Sequence, residues 1–489
     1  MSLLTAQNLT FGFLDGVLFK GAAFKVEETD RLGLIGANGC GKTSLFKLIT
    51  GEYTPTEGGI VRGKNVRVGY MEQYLDCDEN QTLYAEALTV FSDVIEMESE
   101  LNEITRKLMS ENSIELIEKQ LRLTEEIERR DGLVYEAKTK SALLGLGFSS
   151  DDLTLKVSNL SGGQRSKLSL CKLLLSNANL LLLDEPTNNL DIDAIAWLED
   201  FLIKYKGAFI VVSHDRYFLD KITTSTMEIA HNKITLTKGN YTVFQKLKAE
   251  RELTIEREYE KTMTEIKRIE GIIEQQKRFN QERNYITIAS KEKQIERLKE
   301  TLVVPDRALK SVNFSFKTEV RTGDEVLFVK GLKKAFPGKP LFKNFDLTVY
   351  REDKTFLLGP NGCGKTTLMK ILTGLIHDYS GTVLVNSEKP GEKTKAITSY
   401  LPEQTFVHEW MRNIDAIDYF NDFFYDFDKE KALEMIKRFG LDPKHKAKTM
   451  SKGMQEKLLL SLTMSRKAEL YILDEPMGGV DPATRGSIL

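Results

Sequence analysis

One eight-residue pattern occurs twice in the 489-residue chain. Gly36-Ala37-Asn38-Gly39-Cys40-Gly41-Lys42-Thr43 reads as glycine, four residues, glycine, lysine, threonine. Gly359-Pro360-Asn361-Gly362-Cys363-Gly364-Lys365-Thr366 repeats it almost letter for letter. The spacing has a chemical reason. Glycines let the backbone turn tightly enough for its N–H groups to surround a polyphosphate. The lysine places a point charge at the β- and γ-phosphates, and the threonine hydroxyl can hold Mg2+. A helix that starts at the loop favours the same anion through its N-terminal dipole. The flanks agree: residues 31–35 are an apolar run of strand type, and residues 44–49 read as the start of a helix. Two such loops constrain the chain to two α/β nucleotide-binding units, each with a central β-sheet.

Composition narrows the class. Hydrophobic content of 41% and charged content of 29% are those of a soluble globular protein. The net charge is −3, so the molecule is not a polycation and any nucleic-acid contact must be local. Of the four cysteines, Cys40 and Cys363 lie inside the loops, while Cys77 and Cys171 show no paired spacing. No disulfide frame or zinc site is implied, and a reducing cytosol fits. No apolar run approaches the roughly 18 residues of a membrane helix, and the N-terminus lacks the basic and apolar regions of a signal peptide. The expectation is a cytoplasmic protein that is neither secreted nor membrane-spanning, although docking on a membrane subunit stays open.

Other motifs follow the first loop. Gln73 ends a strand-like run that starts near Val66. Residues 83–147 have a helical pattern, and residues of about 92–131 are charge-rich with a break in the middle, as in a projecting helical hairpin. Leu160-Ser161-Gly162-Gly163-Gln164 opens a helix whose N–H groups can face a phosphate. A buried-type strand then ends in Asp184 and Glu185. Asp184 can reach a magnesium shell, and Glu185 can orient or deprotonate a water. Asp191 follows, and another apolar strand ends in Ser213-His214-Asp215. Phe13 and Phe336 precede their loops by similar distances, and each reads equally as an adenine-stacking ring or as an ordinary core aromatic.

This set of motifs, over residues 3–240, resembles an ATP-binding cassette domain. The resemblance implies ATP and Mg2+ as ligands. It makes Phe13 the adenine-stacking aromatic, Gln73 the metal and water sensor, and Ser161, Gly162 and Gly163 the signature. Glu185 becomes the catalytic base, Asp191 part of the D-loop, and His214 the γ-phosphate switch. Ser44 and Thr367 follow the two loop threonines, and Thr43, Asp184, Thr366 and Asp474 are the expected metal contacts.

Between the two units, residues 246–300 are highly charged, with apolar residues at helical spacing in Ile266, Ile269, Ile273 and in Ile295, Leu298, Leu302. The spacing predicts two antiparallel helices joined near residues 280–289 and ending at Pro305. Residues 275–299 hold seven basic residues against three acidic, with Phe279 and Tyr285 interleaved. Arg278, Arg283, Lys291 and Lys293 are the candidate RNA contacts. Two cassettes, no membrane span and a helical linker after Gly239-Asn240-Tyr241 closely resemble the ABC-F family. That resemblance implies an ATPase that binds the ribosome at the tRNA exit site, with the linker tip near the P-site tRNA and in reach of rRNA. Some family members rescue stalled ribosomes, and others protect against antibiotics of the peptidyl-transferase centre.

The second half departs from this pattern. Its signature position reads Met450-Ser451-Lys452-Gly453-Met454-Gln455. Residues Leu470 to Glu475 keep the strand, Asp474 and the candidate base Glu475, but Met477-Gly478-Gly479-Val480-Asp481-Pro482 replaces the first half's Thr187 to Ile192 stretch. From about residue 375 onward the chain resembles the ATPase subunits of bacterial exporters better than ABC-F. Either Glu403 or Gln404 fills the place of Gln73. The expected domains are 1–240 (first cassette), 241–305 (linker) and 306–489 (second cassette, cut short after Asp481). The composite sites expected are Lys42, Glu185 and His214 with Ser451 and Gly453, and Lys365 and Glu475 with Ser161, Gly162 and Gly163. Rival readings are an ATP-binding subunit for a separate membrane permease and a non-functional fused or truncated fragment.

Overall fold

The structure is a computed structural model that describes residues 2–13, 16–37, 39–71, 77–109, 113–130, 132, 134–278, 282–300, 324–336, 339–402 and 405–476. The first cassette contains β1 (Ser2–Phe13), β2 (Gly16–Glu27), β3 (Arg31–Gly36), α1 (Lys42–Thr50), β4 (Glu57–Arg62), β5 (Val68–Tyr70), α2 (Leu83–Leu88), α3 (Ser92–Leu108), α4 (Ile114–Arg129), α5 (Tyr135–Gly145), α6 (Gly162–Leu175), β6 (Leu180–Asp184), α7 (Ile192–Lys204), β7 (Ala208–Val212), α8 (Arg216–Ile222), β8 (Ser225–Ala230) and β9 (Lys233–Lys238). Its core sheet runs β5-β6-β7-β3-β8-β9. The β6 and β7 strands are unbroken apolar runs because both faces of the sheet are covered, one by α2 and α5–α8 and the other by α1 with an antiparallel sheet. The β3 strand lies between β7 and β8, both parallel to it, so the loop after β3 emerges at the carboxyl edge of the sheet, where α/β folds bind ligands. A second, antiparallel sheet, β2-β1-β4, packs its Leu4, Leu9, Phe19 and Val26 onto the same core as α1. The α3 and α4 helices form the projecting hairpin, with Ile104 and Ile127 buried between charged outer faces.

The linker is α9 (Tyr241–Arg278), a 38-residue helix about 57 Å long at 1.5 Å per residue, followed by α10 (Glu282–Glu300). Its root is fixed in the first cassette. Tyr241 enters that cassette's apolar core, Asp220 accepts from the Thr242 N–H at 2.7 Å, and Lys248 pairs with Glu228 at 2.7 Å. Ile266, Ile269 and Ile273 meet Ile288 and Ile295, so the apolar spacing in the sequence is the seam of a helix pair. The joint differs from expectation: helix resumes at Glu282, so residues 282–289 belong to α10. The apolar contact of Ile288 with the seam holds this stretch helical, and composition alone does not register that contact. Phe279 and Pro305 lie outside the described residues.

The second cassette contains β10 (Glu325–Phe336), β11 (Lys339–Tyr350), α11 (Lys365–Leu372), β12 (Ser380–Val385), α12 (Glu392–Ile397), β13 (Thr398–Leu401), α13 (Asn413–Phe423), α14 (Lys429–Arg438), α15 (Lys452–Met464) and β14 (Leu470–Leu473). The antiparallel sheet β11-β10-β12 repeats that of the first cassette, and β13 pairs in parallel with β14 as β5 does with β6. The central sheet is narrower than the sequence suggests. The segment before the second loop joins no ladder among the described residues, and Phe356 and Leu358 are 81% and 78% exposed. In the first cassette the matching strand, β3, is flanked by β7 and β8, which follow the Asp184 strand in sequence. The described residues of the second cassette stop at Pro476, before any such strands.

Candidate nucleotide-binding and hydrolysis site

Each phosphate loop is shaped by a glycine at a helix start. Gly41 caps α1 with φ +103°, and Gly364 caps α11 with φ +101°. Side chains are disfavoured at such backbone angles, and a Cβ on Gly364 would lie 2.9 Å from the Phe342 ring. Gly39 and Gly362 also have positive φ, +82° and +78°. The lysines fold back over their loops. Lys42 Nζ donates to Gly36 O at 2.9 Å and Ala37 O at 3.2 Å, and Lys365 Nζ donates to Gly359 O and to Pro360 O at 3.1 Å. The loop carbonyls thus hold each ammonium at the mouth of its own cradle. Cys40 packs against Gly36, and burial raises its thiol pKa above the usual range. Ser44 and Thr367 lie in the first turns of α1 and α11 beside the loop threonines.

The carboxylates come from the end of β6, which β7 separates from β3 in the sheet. Thr43 Oγ1 donates to Asp184 Oδ2 at 2.8 Å, uniting the end of β6 with the start of α1. Glu185 turns away from the strand with φ +50°, and Glu475 does the same with φ +47°. A non-glycine residue in this region costs on the order of 1 kcal/mol, a strain found preferentially at functional sites. The turn aims Glu185 at the end of β7, where its Oε2 accepts from the His214 N–H at 3.2 Å and its Oε1 lies 3.2 Å from His214 Nε2. Thr187 and Ser213 join the same two strands through their hydroxyls at 3.2 Å. In the second cassette Asp474 is buried, and its Oδ2 has no hydrogen-bond partner among the described residues.

The signature residues cap helices. Ser161 accepts from Gln164 N–H while the Gln164 side chain accepts from Ser161 N–H, which leaves the backbone of Gly162 and Gly163 at the mouth of α6. Ser451 caps α15 in the same manner, accepting from Met454 N–H at 3.3 Å, and Gly453 lies in that helix's first turn. Asp191 caps α7 by accepting from Ala194 N–H at 3.0 Å. A hydrogen bond joins the two cassettes: Asn361 Nδ2 donates to Asn189 O at 2.7 Å, and the Asn361 N–H lies 3.5 Å from Asp191 Oδ2. The second phosphate loop therefore rests on the Asn189–Asp191 turn of the first cassette. Asn189 also lies against Gly163, so signature, turn and opposing loop adjoin.

Phe13 and Phe336 end β1 and β10 as partly exposed rings on the approach to their loops. Arg278 ends α9, Arg283 lies in the first turn of α10, and Lys291 and Lys293 follow in that helix. Asn38, Gln73, Glu403 and Gln404 lie outside the described residues. Sequence reasoning gave Asn189, Thr187 and Ser213 no role of their own, although Ser213 stood in a motif. Their signal was proximity to Asp191 and His214, but polar turn residues carry no distinctive spacing. It also passed over Phe11, Tyr53 and Lys334, which support the two phenylalanines.

Fold and site together define a protein with two phosphate-loop ATPase cassettes in one chain. Residues 19–188 and 342–478 match a family described as ABC transporter, and residues 227–314 match a second family with the same description. Putative ATP-binding protein YdiF of Bacillus subtilis is 33% identical over 493 residues, covering 98% of this chain and 74% of the relative. ABC transporter F family member 2 of Arabidopsis thaliana is 31% identical, covering 97% of this chain and 70% of its own length. Energy-dependent translational throttle protein EttA of Mycobacterium tuberculosis is 30% identical, covering 94% and 80%. The chain belongs to the ATP-binding cassette family, in its F branch, and is an ATP-binding ATPase. No helix among the described residues is long and apolar enough to cross a membrane.

Proposed function

We propose that this protein is a cytoplasmic translation ATPase that acts on the ribosome through its helical linker. The observation that carries this reading is the α9–α10 pair, rooted in the first cassette and basic toward its joint. Phosphate-rich RNA supplies affinity to such a surface, and unstacked bases can pack on its aromatic residues. The name of the EttA relative, a translational throttle, supports the same reading.

In this reading ATP is sandwiched between a phosphate loop of one cassette and a signature of the other. Lys42, Glu185 and His214 act with Ser451 and Gly453, and Lys365 and Glu475 act with Ser161, Gly162 and Gly163. The contact of Asn361 with Asn189 supports the second pairing. Glu185 takes the proton of the attacking water, and His214 keeps that carboxylate aimed. Thr43, Asp184 and Gln73 would hold Mg2+ in one site. Thr366, Asp474 and either Glu403 or Gln404 would hold it in the other. Hydroxyl and carboxylate oxygens suit this hard cation, and the buried Asp474 Oδ2 leaves an oxygen available for it. When bound, the ion neutralises charge on the β- and γ-phosphates.

The test is pelleting of ATP-loaded Glu185→Gln protein with purified ribosomes across a salt series. Salt-sensitive binding is expected, and replacing Arg278, Arg283, Lys291 and Lys293 with Ala should weaken it without changing ATP affinity. Undiminished binding by the quadruple variant would make the linker a spacer. Absence of binding by either protein would favour a membrane permease as partner or a fragment without function.

A further inference from the structure

Phe13 and Phe336 occupy matching places, two residues after unlike neighbours. Phe13 is 55% exposed and meets Phe11 and Tyr53 nearly at right angles, with centroids 5.3 and 6.0 Å away and planes at 77° and 88°. Phe11 and Tyr53 stack on each other at 5.5 Å and 19°. Tyr53 follows α1 directly, its N–H donating to Lys47 O at 3.1 Å, so the ring cluster and the first phosphate loop belong to one backbone unit. In the second cassette the position of Phe11 is taken by Lys334. Its side chain is buried, its Nζ lies over the Phe336 ring 5.0 Å from the centroid, and it donates to Asp378 Oδ2 at 2.9 Å. Phe336 is 46% exposed, and the Asp378 side chain is 98% exposed.

We propose that the two ATP sites carry unlike base platforms, an aromatic cluster in the first and a cation-backed ring in the second, and that Lys334 is a positioning residue for nucleotide at the second site. The proposal rests on the reading that Phe13 and Phe336 receive the adenine. An aromatic face carries negative potential, so a desolvated ammonium above it holds the ring. The ring is then oriented before the base arrives, and less freedom is lost on binding. Edge-to-face contacts do the same for Phe13, but they are apolar and insensitive to salt. The Lys334 link is partly electrostatic and ends on an exposed carboxylate, so salt weakens it. Lys334 acts through Phe336, while Lys365 and its loop hold the phosphates.

The test titrates ATP and inorganic tripolyphosphate into two backgrounds. Lys42→Ala leaves the second site to be read, and Lys365→Ala leaves the first. In the Lys42→Ala background, Lys334→Met is expected to weaken ATP about threefold or more and to leave tripolyphosphate unchanged. Lys334→Arg, which keeps the cation over the ring, should restore most of the affinity. In the Lys365→Ala background Lys334→Met should be silent, and Tyr53→Ala should weaken ATP. Asp378→Asn probes the same link from the surface without entering the core, and a smaller loss of ATP affinity at the second site is expected. If Phe336→Ala weakens ATP while Lys334→Met and Asp378→Asn do not, the platform reading stands and this proposal falls. If Phe336→Ala has no effect, both fall. Equal loss of ATP and tripolyphosphate in Lys334→Met would mean general disruption of the cassette and would also overturn it.

Discussion

His214 Nε2 lies 3.2 Å from Glu185 Oε1, while the His214 backbone N–H donates to the other oxygen of the same carboxylate at 3.2 Å. One histidine therefore meets both oxygens of Glu185, one through a backbone hydrogen bond and one at ion-pair distance from its ring, and a hydroxyl pair, Thr187 with Ser213, joins the turns that follow β6 and β7. The left-handed φ of Glu185 is what brings its side chain to β7. Replacing Glu185 with Gln keeps the size and the N–H contact but removes the proton acceptor. ATP binding should persist, and turnover at that site should fall by about 10²–10⁴. Single-turnover hydrolysis with radiolabelled ATP checks this, and a parental rate would exclude Glu185 as the base.

His214→Ala should leave Glu185, the proposed base, in place but without its ring contact. The expected loss in kcat is about tenfold to a hundredfold, with little change in ATP affinity. His214→Gln, which can still donate to the carboxylate, should fall between the parent and Ala. If Ala and Gln behave alike, orientation by the side chain is not its contribution.

The pH dependence of a loop thiol gives a separate check on packing around the first phosphate loop. Burial raises the Cys40 pKa above its ordinary value. A raised pKa means a smaller thiolate fraction at any given pH, and the thiolate is the reactive form. Alkylation by iodoacetamide should therefore be slower at Cys40 than at an exposed cysteine near neutral pH. The rate should keep climbing beyond about pH 8.5, the ordinary thiol range. Peptide mass spectrometry reads the label, and a plateau at or below that pH would show an accessible, unshifted thiol.

The parts most legible in the sequence were those whose chemistry fixes local spacing. A phosphate cradle requires its glycines and lysine in one short run, and both loops stood out letter by letter. Asp184 and Glu185 were visible because a run of buried leucines ends in them. The linker seam was visible because Ile266, Ile269 and Ile273 recur at helical spacing. Relationships across the fold were not legible. The support of Phe13 by Tyr53 spans 40 residues of sequence, and that of Asn361 by Asn189 crosses between cassettes. Neither leaves a periodic trace, since a polar turn residue or a single tyrosine looks alike with or without its distant partner. The second cassette's unpaired segment was concealed for a related reason. Residues 355–358 have strand composition, but a ladder needs neighbours that no local pattern reports.

Lys172 and Glu86 make a buried ion pair on the first cassette's helical face. Nζ and Oε1 are 2.5 Å apart, and both side chains are buried. The pair joins α6, whose first turn carries Gly162 and Gly163, to α2, and Glu86 Oε2 also accepts from the Asp78 N–H at 3.3 Å. The Arg165 and Glu79 side chains tie α6 to the segment before α2 nearer the surface at 3.2 Å, a contact worth little by itself in water. Removing one partner of the inner pair is different in kind, because the other charge is left buried without its counterpart. Lys172→Met should cost about 3–5 kcal/mol, seen as a lower urea midpoint. The double variant Glu86→Leu, Lys172→Met should recover most of that loss, since two apolar side chains of similar volume leave no stranded charge. A double variant as unstable as the single one would mean that the Asp78 N–H bond and the fit of the side chains, and not charge pairing, hold α2 against α6.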